Sequence, residues 1–222
     1  MKQILAILWK DLQVEARSKQ SLLSMLAFGL LILVIFNFAF EPTPELKRSI
    51  TPGLLWITFL FSGILGLNRS FSLEKENMAI HGLLLAPIDR GLVYFGKFGA
   101  NLLILLVTEI LTLPFFLLFL NMPLFRHFWW LMLIILLGTA GFVALGTLFS
   151  AMATSTKMRE VMLPLLLFPI STPILLAAVA CVREILANEP FESYQNWFFL
   201  LIGFDIIFIV VPSLVFEYVV EE

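Results

Sequence analysis

Charged residues leave six long stretches of the chain nearly untouched. Residues 20–40, 49–68, 127–156 and 161–182 carry no charge, 98–125 carries only Glu109, and 193–216 carries only Asp205. A helix needs about 20 mainly apolar residues to cross the ~30 Å hydrocarbon core of a bilayer. Each stretch meets that length once, so the pattern predicts spans at about 20–40, 50–68, 98–120, 128–152, 161–182 and 197–216. Short alternating apolar and polar strands are absent from the pattern, which excludes a β-barrel. The predicted fold class is an all-α integral membrane protein, a single transmembrane domain over 1–222.

Before the first span, residues 2–18 (KQILAILWKDLQVEARS) follow a helical period. Ile4, Leu5, Leu8 and Leu12 share a face, while Lys10, Asp11, Arg17 and the partly offset Glu15 lie elsewhere. Trp9 suits headgroup depth, so an amphipathic helix lying in the interface is expected. The plainer alternative is an ordinary cytoplasmic lead-in helix. The 21 apolar residues of the first run and the lack of an A-x-A site after it speak for a retained span rather than a cleaved signal.

Charge then sets orientation. With six spans both termini share a side, and that side holds Lys2, Lys10, Arg17, Lys19, Arg69, Lys75, Arg90, Lys97, Lys157 and Arg159. The opposite side holds only Lys47, Arg48, Arg126 and Arg183. The positive-inside rule puts both termini in the cytoplasm. Composition agrees with a membrane protein: 60% of residues are hydrophobic and 14% charged, against roughly 25% charged in a soluble domain. A net charge of −2 argues against a nucleic-acid partner, which calls for a basic stripe. The single cysteine, Cys181, and two isolated histidines, His81 and His127, offer no metal-ligand spacing.

Gly91–Lys97 reads G-x-x-x-x-G-K, the start of a phosphate-binding loop. The working motif needs Ser or Thr next and a strand before the glycines. Phe98 follows instead, and the residues open a predicted span. The match is coincidental, and Lys97 is expected to be a cytoplasmic anchor with a snorkelling stem. Around it, 69–97 is the longest cytoplasmic connection. LEKENMAI is expected to form a short charged helix, and LLLAP an apolar knob, with Pro87 and Asp89 in the first turn of the next helix. An apolar knob ringed by charge suits a partner site; its alternative use is packing under the protein's own helices.

This connection resembles the coupling region of ABC-exporter permeases. The stretches 24–40, 52–77, 82–97, 158–178 and 216–222, in order along the chain, are similar to the B-subunit permease family of the cytochrome c maturation, or haem exporter, ABC transporter. The resemblance implies a membrane subunit without its own ATPase site. It also implies a separate ABC ATPase subunit, a haem-handling membrane subunit, a small single-span subunit, and a second copy of this chain. ATP and haem would be handled by those partners, with no cofactor or metal in this chain. The place would be the bacterial inner membrane. The coupling set it points to is Glu74, Glu76, Leu83, Leu84, Leu85, Pro87 and Arg90. Alternatives are an exporter of another cargo and a non-transporting scaffold that relays ATPase motion.

Two intramembrane carboxyls remain. Glu109 and Asp205 are central in their runs, where a charge costs roughly 2.5–3.5 kcal/mol on insertion scales. Each is expected to be protonated or hydrogen-bonded within the bundle, for instance by Asn101 or Thr112; the alternative makes them part of a substrate path or an intersubunit polar contact. Pro164, Pro169 and Pro173 predict a bent or broken fifth span, with Ser171 and Thr172 capping freed carbonyls. Gly138, Gly141 and Ala144–Gly146 predict close helix contact in the fourth. Residues 183–196 are expected to hold a short external helix broken by Pro190, and His127 is placed at the outer face.

Overall fold

The computed structural model describes residues 2–40, 43–76, 89–120, 127–153 and 159–220. These form seven helices and, among the described residues, no strand: α1 (Lys2–Ser18), α2 (Gln20–Phe40), α3 (Pro44–Glu76), α4 (Arg90–Leu120), α5 (Phe128–Ala153), α6 (Arg159–Ala187) and α7 (Phe191–Val220). Helices α2 to α7 are each long and apolar enough to cross a membrane. A helix is the form that lipid demands of a single segment, because it pairs its own backbone groups.

Several helices outrun their apolar cores. Helix α3 starts at Pro44 and runs without a break through Glu76. The charged residues 73–76 therefore prolong the second span instead of forming a separate helix. Charge ends a hydrophobic run but does not break a helix; only a cap or a missing donor does. Such caps mark the true ends. Thr43 Oγ1 accepts from the Leu46 N–H at 3.3 Å ahead of α3. Asp89 Oδ1 accepts from the Gly91 N–H at 2.7 Å, so Asp89 caps α4 from outside rather than sitting in its first turn. Pro87 lies outside the described residues.

The turn between α6 and α7 holds no separate helix. Asn188 takes a left-handed φ of 62°, and the Glu189 N–H reaches back to the Glu184 carbonyl at 3.0 Å, closing α6 as a C-terminal cap does. Pro190 then precedes α7. Helix α6 itself is continuous despite Pro164, Pro169 and Pro173. Thr172 Oγ1 donates to the Phe168 carbonyl at 2.7 Å, and so does Ser171 at 3.4 Å. Those hydroxyls do not reach the carbonyls of Leu165 and Pro169, which the prolines deprive of donors.

Helix α5 is the hub, packed against α3, α4, α6 and α7. Its small residues make that possible, as expected. A Cβ at Gly138 would strike the Trp56 ring, one at Gly141 would strike Asp205, and one at Gly146 would strike Leu67. Close backbone approach of this kind supplies the dispersion contact that holds helices together in lipid. Helix α2 packs on α3 and α4, and Ser62 of α3 donates to the Met25 carbonyl at 3.1 Å. At the other end of α3, Lys47 Nζ donates to the Phe119 carbonyl at 3.0 Å, where a cation suits a helix C-terminus.

Candidate functional site

The candidate coupling connection, the elbow, lies between the end of α3 and the start of α4, and residues 77–88 of it are outside the described residues. Leu83, Leu84, Leu85 and Pro87 lie outside the described residues. Glu74 and Glu76 fall on the last turn of α3, with their side chains likewise outside the description, and Arg90 opens α4 half-buried. The structure is informative about what holds the elbow's far end.

That end is clamped twice. Tyr94 is fully buried and donates from its hydroxyl to the Ala144 carbonyl of α5 at 3.0 Å. Its ring lies against Phe98, stacked at 6.2 Å, and against Phe216 near the end of α7 at 5.5 Å. On another face of α4, helix α1 is seated in a glycine notch. A Cβ at Gly96 would lie 2.8 Å from Ile7, and one at Gly99 would lie 2.9 Å from Leu8. Between the glycines, Lys97 Nζ meets Asp11 Oδ2 at 2.8 Å.

Gly96 and Lys97 of the phosphate-loop-like run, with Gly99 beyond it, thus form the seat of α1. Lys97 is 2% exposed; it is a buried ion-pair partner, not a snorkelling anchor. Its long stem points into protein because Asp11 offers a carboxylate there. The apolar face assigned to α1 changes too. Ile7 and Glu15 are buried, while Leu5 and Trp9 are more than half exposed. The helix has three faces: Ile7, Leu8, Asp11 and Glu15 toward the protein, Leu5 and Trp9 in the direction that suits lipid, and Lys10 and Arg17 toward water. A helix that touches protein and lipid together cannot be sorted by one apolar stripe.

The buried polar residues of α4 form a second feature. Lys97, Asn101, Thr108, Glu109 and Thr112 are all buried; Lys97 and Asn101, Thr108 and Thr112, and Glu109 and Thr112 are three or four residues apart and neighbour each other along the helix. Asn101 Nδ2 donates to Thr147 Oγ1 at 3.2 Å. Thr139 Oγ1 lies 2.9 Å from each carboxyl oxygen of Glu109. Glu109 is hydrogen-bonded within the bundle, as expected, but by Thr139 of α5 and not by Asn101 or Thr112. Thr112 instead donates to the Glu109 backbone carbonyl at 2.8 Å.

Asp205 is 5% exposed, lies against Gly141, and makes no well-aligned side-chain hydrogen bond among the described residues. Thr139 and Gly141 are two residues apart, so they face opposite ways from α5. Helix α5 therefore stands between the two carboxyls, and they share no common wall. His127 Nε2 is 2.8 Å from Asn188 Oδ1, and near it in the chain the Trp130 and Phe191 rings lie 5.5 Å apart.

Loss of the donor to Glu109 has a measurable expectation. Thr139→Val should lower stability by about 1–3 kcal/mol, the cost of stranding a buried acceptor. Thr139→Ser, which keeps the hydroxyl, should cost clearly less. Thermal unfolding in detergent separates the two; equal losses would leave the hydroxyl without a role.

Comparison with known proteins follows this geometry along almost its whole length. The family model described as "CcmB protein" matches residues 2–221. A Heme exporter protein B of Rhodobacter capsulatus is 31% identical over 179 residues, 81% of this chain and 82% of its own. That of Haemophilus influenzae is 28% identical over 188 residues, covering 84% of each. That of Pseudomonas aeruginosa is 26% identical over 191 residues, 86% of this chain and 85% of its own.

Proposed function

Because the chain belongs to the CcmB protein family, we infer that it is the membrane permease subunit of the ABC transporter for haem export in cytochrome c maturation. It is a multi-pass membrane protein, and the reading extends to the bacterial inner membrane with both termini in the cytoplasm. ATP is hydrolysed on a separate soluble ABC subunit, and haem is held by a dedicated membrane subunit and a small single-span one. A second copy of the chain completes the membrane unit. The observation that carries the reading is the family match over 2–221, coincident with six helices long enough to cross a bilayer.

The mechanism this supports is mechanical. The ATPase grips the elbow between α3 and α4, through Glu74, Glu76, Leu83, Leu84, Leu85, Pro87 and Arg90. A push there reaches Tyr94 first. Because Tyr94 is bonded to α5 and packed on α7, and Gly96 and Lys97 carry α1, the start of α4 cannot shift alone. Such rigid chains of contact convert a local displacement into movement of whole helices.

The test is purification in mild detergent with the chains that travel along identified by mass, joined to cysteine labelling. An ATPase subunit and haem-binding membrane chains should co-purify. A cysteine replacing Leu84 should react with a membrane-impermeant maleimide only in inverted vesicles. Native Cys181 is buried and gives little background. Nucleotide cleavage by the isolated chain, or labelling of position 84 from outside, would overturn the reading.

A further inference from the structure

Helices α3, α4 and α7 each hold one interior proline, at Pro52, Pro114 and Pro212, whereas α6 holds Pro164, Pro169 and Pro173. A helical carbonyl accepts from the N–H four residues further on, and proline has no N–H. Pro169 therefore strips the Leu165 carbonyl of its donor, and Pro173 strips the Pro169 carbonyl. The two acceptors stand one turn apart inside the charge-free run 161–182. They also lie on the face of α6 that the bundle leaves open. Leu165 is 69% exposed and Leu176 58%, and Pro169 and Thr172 are exposed between them. Leu163, Leu167, Ile174 and Ala178 are buried on the opposite face, toward α3, α5 and α7.

Within a membrane, carbonyls freed by proline are satisfied by a Ser or Thr hydroxyl, a local 3₁₀ or π turn, ordered water, or a neighbouring helix. Three of these routes are closed. Ser171 and Thr172 both give their hydroxyls to the Phe168 carbonyl. The segment stays α-helical from Arg159 to Ala187, with no 3₁₀ or π turn. A face open to hydrocarbon offers no water. The neighbouring helix remains, and it comes from another chain, because the helices of this one pack behind α6.

That helix must bring donors, and a second copy does not supply them. Two copies joined through this face would set acceptor against acceptor, since a two-fold contact pairs a surface with itself and Thr172 is already spent. The other exposed faces of the chain are hydrocarbon, with Leu31 and Phe38 on α2, Val107 and Ile110 on α4, and Ile206 and Val210 on α7.

We propose that the face of α6 formed by Leu165, Pro169, Thr172 and Leu176 is the docking surface for a transmembrane helix of a different protein, whose hydroxyl or amide side chains donate to the Leu165 and Pro169 carbonyls. The leucines supply packing, and the two carbonyls fix the depth at which the partner sits. The surface follows from the membrane-spanning fold and does not need the haem-export reading.

Photocrosslinking in native membranes tests this, with p-benzoylphenylalanine placed at position 165 or 176 of the full chain. Both positions should capture a membrane protein other than this chain. The captured peptide, read by mass spectrometry, should hold Ser, Thr, Asn or Gln within one helical turn of the attachment point. Pro169→Ala with Pro173→Ala returns both N–H donors to α6. It should lower the crosslink yield about tenfold, the loss of two hydrogen bonds between membrane helices. The melting temperature of the purified variant should not fall, and ATPase co-purification, the readout of the proposed function, should be unchanged. Capture of lipid alone, capture of a second copy, a partner peptide without donors, or an undiminished yield in the folded proline variant would overturn the proposal. Where that variant fails to fold, the identity of the captured peptide decides.

Discussion

Combined Leu84→Asp and Glu76→Lys changes are expected to abolish co-purification of the ATPase subunit while the permease remains in the membrane. The leucines at 83, 84 and 85 stand together outside the apolar spans. Burying one leucine against a partner stabilises by about 1.5–3 kcal/mol. Placing a carboxylate in such a contact removes that gain and adds desolvation. Reversal of charge at 76 adds repulsion wherever the partner presents a basic residue to the acidic end of α3. Together the two changes should exceed about 4 kcal/mol, roughly a thousandfold in affinity, enough to lose a complex through purification. Insertion is unaffected because neither position lies in an apolar run. The check is the ATPase-to-permease ratio after affinity purification, beside resistance to carbonate extraction. An unchanged ratio would remove the elbow from the interface.

The second large effect is expected at the seat of α1. Lys97→Met leaves Asp11, whose side chain is 13% exposed, facing a groove that lacks its main cation. Breaking a fully buried pair from one side costs about 3–5 kcal/mol. Asp11 keeps Lys10 at 3.1 Å, so a loss near the lower end of that range is expected. The double change Asp11→Leu with Lys97→Met should recover most of it, because an apolar pair of similar size replaces a paired charge at little net cost. Gly96→Leu should release α1 by a different route, through collision with Ile7. Thermal unfolding in detergent and protease cleavage of the first 18 residues report both effects. If the single and double variants were equally destabilised, the ion pair would hold nothing.

Those two expectations draw on different sources. The first is an expectation from residue order alone: three leucines and a proline between charged flanks, in the longest connection between apolar runs. The seat of α1 was not legible in that order. Gly91, Gly96 and Lys97 fit the start of a nucleotide loop by coincidence, and only the position of Ile7, Leu8 and Asp11 in space shows what Gly96, Lys97 and Gly99 receive. Tyr94 gave no signal at all, because a tyrosine among phenylalanines in an apolar run has no distinguishing pattern until its hydroxyl is seen on the Ala144 carbonyl. A lysine inside a helix beside small residues is the one hint that was available, since a buried ammonium must find a carboxylate somewhere.

By itself the sequence determined that the chain is helical, that it has six spans of bilayer length, and which side its positive residues favour. These are local properties: a segment in lipid must satisfy its own backbone and be apolar for about 20 residues, whatever its neighbours are. The tertiary structure alone decided which faces meet. It gave Glu109 to Thr139 across the bundle, left Asp205 against Gly141, and turned Asp11 and Glu15 of α1 inward. In water, an apolar face announces where the interior lies. In a bilayer the surroundings are as apolar as the interior, so hydrophobicity carries no inside-or-outside signal, and partners are chosen by shape and by scarce polar groups that pair across long separations in the chain.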